Sequence, residues 1–178
     1  MEELKKLDEL MKIDETHRLM GCLTGRFPNL ELHPKIISAI ALHDTVPEEI
    51  RGQFNVARNM ALHQYFFYAL APEIQLKTYT IIEFALRLKA NSARKLMLGA
   101  LLEKAAKNGW IVDAGFRHIQ NPLPENPYCT GLIKILPTLR NEAAHGSSNL
   151  TPDNIGHLEK CADLVNQLFP LPLETLQI

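Results

Sequence analysis

Between Leu4 and Phe169 the apolar residues return every three or four positions, and no stretch of useful length alternates apolar with polar. A period near 3.6 belongs to helices and a period of 2 to strands, so the chain reads as helix after helix. Leu4, Leu7 and Met11 form one stripe beside Leu10, Ile13, His17 and Met20, predicting a helix over 3–20 stopped by Gly21. The glycines and proline of 21–33 read as loop, and Pro34 opens a short helix to Leu42. Pro47, with Glu48 and Glu49 behind it, starts a helix predicted to reach Leu70 through the aromatic run Tyr65, Phe66, Phe67 and Tyr68. Pro72 and Glu73 start the next, to Ala90, whose few polar gaps predict a central position. Ser92 is read as the N-cap of a helix ending at Asn108 and Gly109, and Trp110 to Ile119 as a short turn. Pro122, Pro124 and Pro127 exclude regular helix over 121–127. A helix over Thr130 to His145, kinked at Pro137, is ended by Gly146, and Thr151, Pro152 and Asp153 cap a last one to Phe169. The expected fold is all-α, a compact bundle of about six or seven helices. A boundary near residue 45 divides an N-terminal helical cap or extension, 1–45, from the bundle, 46–178.

Length and charge narrow the function classes. The 178 residues suffice for one domain with a buried core and no staples. The net charge is −1, so any nucleic-acid contact must be local. Cys22, Cys129 and Cys161 are scattered, which argues against a disulfide framework and suits a reducing compartment. The acidic N-terminal stretch is unlike a signal peptide, and no apolar run is long enough to span a bilayer. The expectation is a cytoplasmic protein without membrane contact. GxxxxGK[ST], GxGxxG, GxSxG and HExxH are all absent. None of the seven His pairs with another His or Cys at ligand spacing, so neither metal nor cofactor is expected.

The informative stretch is Leu139-Arg140-Asn141-Glu142-Ala143-Ala144-His145-Gly146. Arg140 and His145 are separated by four residues, and a polar residue, Asn141, follows the Arg. Upstream, Thr80-Ile81-Ile82-Glu83-Phe84-Ala85-Leu86-Arg87 precedes a helix at Leu96 to Lys107 and Gly109-Trp110-Ile111. Together these resemble HEPN domains over about residues 50 to 169. Those are small helical bundles, many of them metal-independent RNases or toxins and others non-catalytic. The resemblance implies a metal-independent endoribonuclease in a toxin or phage-defence setting, with Arg140 and His145 catalytic and Asn141, Glu83 and Arg87 supporting. It also implies a homodimer acting on RNA, with an antitoxin-like protein as a further partner. The alternative is a non-catalytic helical homodimer that binds a protein or a nucleotide.

The residue types fit phosphodiester chemistry on their own terms. Histidine exchanges protons near neutral pH, and the planar arginine fork meets two phosphate oxygens. The spacing is less obliging, because five positions on an ideal helix stand about 140° apart. A helix end at Gly146, or a distortion at Pro137, is needed to bring the two together. Both residues also suit a helix C-terminus, where cations complement the dipole. Arg58 and His63 repeat the spacing as secondary candidates, but in mid-helix, where a structural role is favoured. Glu83, on an apolar helix, needs a partner, with Arg87 at i+4 the first choice and orientation of Arg140 or His145 the second. From Lys77 to Lys107 seven cations face two anions, a phosphate-tracking surface or a solvated helix face. The run Tyr65 to Tyr68 points all round a helix, which suits packing better than base stacking.

Overall fold

The computed structural model describes residues 4–25, 29–92, 96–146 and 154–172. Among these residues the chain is all-helical, with seven α-helices and no strand. They are α1 Glu15–Thr24, α2 Leu32–Ala39, α3 Glu48–Gln64, α4 Ala71–Ala90, α5 Leu98–Lys107, α6 Pro127–Ala144 and α7 Asn154–Leu168. None of them is long and apolar enough to cross a membrane.

The hub is α4, as its near-continuous apolar sequence predicts. It packs against α3, α5, α6 and α7, and buries Ile74, Ile81, Ile82, Ala85 and Leu86 among them. Around it lie Ile50, Phe54 and Ala57 of α3, Leu101 and Leu102 of α5, and Leu158, Ala162, Val165 and Leu168 of α7, all within one core. Each large aliphatic side chain removed from water in this way contributes about 1.5–3 kcal/mol before entropy is counted. While α5 supports α6, α6 and α7 both rest on α4.

The N-terminal region departs from the expected single helix. Leu7–Glu9 is one 3₁₀ turn, and the helix begins at Glu15, not at residue 3. Asp14 is the reason. Its carboxylate caps α1 through the Thr16 N–H at 2.9 Å and also accepts the Tyr68 N–H at 2.9 Å, tying the helix start to the turn that joins α3 to α4. Gly21 does not stop α1 but is buried within it, and Gly25, at φ 69°, ends it. Leu4, Leu7 and Met11 stay 98%, 87% and 76% exposed, so their stripe covers no core. The region still docks on the bundle. His17 and His33 bond the carbonyls of Gln64 and Ala61, and Thr45 Oγ1 donates to the Phe169 carbonyl.

Three other boundaries move. The helix from Pro47 ends at Gln64 instead of Leu70, because Tyr65 and Tyr68 turn inward and Phe67 adopts extended backbone. The aromatic run is therefore partly core. The next expected start, Ser92, is not a cap, since α5 begins at Leu98 behind an extended Met97. Finally, α6 begins at Pro127, three residues earlier than expected. Buried Asp113 reaches across to accept the Tyr128 and Cys129 N–H groups at 2.9 and 2.8 Å. The helix then runs through Pro137 to Ala144. The proposed cap at Thr151, Pro152 and Asp153 lies outside the described residues.

Candidate functional site

The last turn of α6 carries the Arg140–His145 pair, and α4 faces it. Arg140 Nη2 lies 2.9 Å from Glu83 Oε2, while the other Glu83 oxygen accepts from Arg87 Nη2. Glu83 thus bridges two arginines, one on its own helix at i+4 and one across the bundle. Its side chain is 13% exposed. Burial pushes its carboxyl pKa up, but the Arg87 hydrogen bond and the charges of Arg140 and Arg87 outweigh burial and hold it below the ordinary 4.5. Two cations on one carboxylate leave the cluster one positive charge in excess. Arg140 is half-buried, Nη1 donates to Asn141 Oδ1 at 3.3 Å, and Nε is buried without a hydrogen-bond partner among the described residues.

His145 is exposed, and its ring makes no hydrogen bond to a described residue. Its backbone N–H bonds the Asn141 carbonyl at 3.0 Å, so helical register holds through position 145. Gly146, at φ 86°, breaks the helix only afterwards. Arg140 and His145 therefore leave α6 about 140° apart. Arg140 turns toward α4, where it meets Glu83. The motif brings together Arg140, Glu83, Arg87 and Asn141, and leaves His145 on a separate face of the same helix end.

The second Arg–His pair has a structural explanation. Arg58 Nε and Nη2 donate to the carbonyls of Ile37 and Ser38 at 3.2 and 2.8 Å, closing the C-terminal end of α2, and Nη1 bonds Asn55. His63 is exposed at the end of α3. The basic stretch is also largely occupied. Lys89 lies over the Trp110 and Phe169 rings, Lys104 donates to the Ala90 carbonyl, and Lys77 bonds Gln53. Arg94 and Lys95 lie outside the described residues.

Two polar arrangements were not anticipated. Asp113 and Asn126 meet at the start of α6, the Asp113 N–H donating to Asn126 Oδ1 at 2.7 Å. Arg117 Nε and Nη2 grip Asp163 Oδ1 at 2.9 and 2.8 Å. Both join residues far apart in sequence with no spacing signal. Among the described residues no group of three or more His, Cys, Asp or Glu converges as a cation site. Cys129 and Cys161 are buried, and burial pushes both thiols up, Cys129 to about 12. Neither is an activated nucleophile.

One concavity of the surface shares no residue with this cluster. It is a groove of about 420 Å³ between α6 and α7, floored by α4. No protein-family model, no curated protein and no solved structure matches the chain.

Proposed function

We propose that this chain is a HEPN-like, metal-independent endoribonuclease that works as a homodimer in a toxin or defence setting. The observation that carries the reading is the bridge from Glu83 to both Arg140 and Arg87. It fixes a guanidinium at the helix end bearing an exposed histidine, and leaves net positive charge where a phosphate would sit. The unpartnered, buried Nε of Arg140 is the sort of costly polar group that functional sites retain.

In this scheme Arg140 holds the scissile phosphate and offsets charge as it develops on the oxygens. Glu83 and Arg87 act as positioning residues, and Asn141 steadies the fork. A histidine takes the proton of the 2′-hydroxyl, whose oxygen attacks phosphorus. The 5′ oxygen leaves with a proton from a second acid, giving a 2′,3′-cyclic phosphate and a 5′-hydroxyl. Because Arg140 and His145 diverge on one helix, the scheme needs two chains, the His145 of one serving beside the Arg140 of the other. The test is incubation of single-stranded RNA with the protein in excess chelator, with analysis of the product ends. Cyclic phosphate ends support the reading, and intact RNA opposes it.

A second reading is favoured by the same ion pair. Arg140 already has its carboxylate, so Arg140 and Glu83 suffice as a clamp between α4 and α6 in a non-catalytic binding module. Sedimentation and pull-down with an antitoxin-like partner, together with intact RNA, would favour it.

A further inference from the structure

We propose that the groove between α6 and α7 holds one neutral, unbranched aliphatic chain, such as that of a fatty alcohol. The site shares no residue with the Arg140 cluster and stands independently of the ribonuclease reading. On α6 the wall residues Tyr128, Leu132, Ile135 and Leu139 recur at helical spacing over about 17 Å. Tyr79 and Ile82 of α4 line the floor. Ile135 and Leu139 remain 56% and 36% exposed at the rim. The volume of about 420 Å³ lies within the range of small-molecule sites. Spread along about 17 Å of helix, it leaves a section of about 25 Å². At roughly 30 Å³ per heavy atom, that is about the section of a single file of atoms. A partner helix, about 10 Å across, needs about three times as much. The shape therefore selects a thin chain over a protein segment or a compact ring system.

The lining sets the polarity. Thr78 Oγ1 donates to the Gln75 carbonyl, the Tyr79 hydroxyl accepts from Gln75 Nε2, and Cys161 Sγ donates to the Thr78 carbonyl. These groups are served from within the protein and ask nothing of a ligand. Burial pushes the Tyr79 and Tyr128 phenols up, Tyr128 to about 12, so both stay neutral. His157 and Lys160 stand on the α7 wall, and both are engaged within the protein, the His157 ring edge-on to Tyr79 at 6.0 Å. Neither is left over to hold a charged head. A charged ligand would lose its hydration here without a dedicated partner, whereas a neutral chain loses only unfavourable contact with water.

Gly131 adds an independent observation. It lines the groove within α6, where glycine is less favourable than alanine. A Cβ there would meet nothing within 4 Å, and its backbone has no positive φ. Neither a described neighbour nor backbone strain calls for glycine. What its missing side chain leaves open is groove space.

The experiment is titration of the full chain with 1-decanol, followed by the methyl NMR signals of Ile82, Leu132 and Ile135. The comparison ligands are 1-adamantanol, a compact cage of equal carbon number, and decanoate and decylammonium, charged chains of equal length. Phosphatidylcholine vesicles separate a free chain from the acyl chains of a bilayer. Saturable 1:1 binding of 1-decanol that shifts these methyls is expected, at least about tenfold tighter than any of the three comparison ligands. Gly131→Leu puts a side chain into the open groove and should lose at least about tenfold in affinity while keeping its circular dichroism. Ile135→Asn, at an exposed rim position, should fold and weaken binding as well. Equal or tighter binding of 1-adamantanol or of either charged chain would overturn the proposal. So would full affinity in the two variants, shifts confined to methyls elsewhere, binding to vesicles alone, or no binding.

Discussion

The Arg140 guanidinium meets the Glu83 carboxylate at 2.9 Å, and this contact joins the last turn of α6 to the central helix α4. Removing the carboxylate strands two arginines at a half-buried position. Glu83→Gln should therefore lower stability by about 1–3 kcal/mol, read by urea unfolding, since one neutral amide cannot hold two charged forks. If Glu83 positions Arg140 for phosphate, RNA cleavage should fall as well, and Glu83→Asp should recover part of it. A merely structural pair would show the stability loss without the rescue of activity.

The same group predicts a dependence on pH. The native Glu83 carboxyl ionises below its ordinary 4.5, so the folded state binds fewer protons than the unfolded chain between the two values. Its contribution is complete above pH 4.5 and is lost as pH falls through the lower native value. The stability gap between wild type and Glu83→Gln should thus be constant near neutrality and narrow in acid. A gap that widened in acid would contradict the sign.

Asp113 should matter more to the fold than any residue of the Arg–His motif. It is 1% exposed, and its two oxygens hold the first N–H groups of α6. Asp113→Ala should cost about 2 kcal/mol through the lost cap and two stranded donors. Chemical denaturation with a far-ultraviolet probe measures it. A loss under about half a kcal/mol would show that water or Asn126 replaces the cap.

Much of the bundle was legible because helices announce themselves locally. The few polar gaps among Ile74, Tyr79, Ile82, Ala85 and Leu86 marked α4 as central, and proline starts with glycine ends placed most termini within a few residues. The failures share one cause. Asp14 binding Tyr68, and Asp113 binding Tyr128, are long-range contacts that decide where α1 and α6 begin, and no local pattern records them. The same holds at the candidate site. The ion pair of Glu83 with Arg87 was readable from i+4 spacing, and its contact with Arg140 was one of two readings for a carboxylate on an apolar helix. The groove was not readable at all, since it depends on how α6 and α7 are seated on α4.

Arg58→Ala separates the two Arg–His pairs. Arg58 closes the end of α2, so its loss should cost about 1 kcal/mol and leave RNA cleavage unchanged. A large drop in cleavage at unchanged stability would move the active site to that helix.

The most direct test of the central claim is the rate of RNA cleavage by wild type and His145→Ala in excess chelator, at equal, verified dimer concentration. The account predicts cleavage by wild type and a loss of roughly 100-fold or more in the variant, the scale of acid–base groups. Folding should be unaffected, because His145 is exposed at a helix end. Full activity in His145→Ala, or cleavage by wild type only when metal is added, would contradict it.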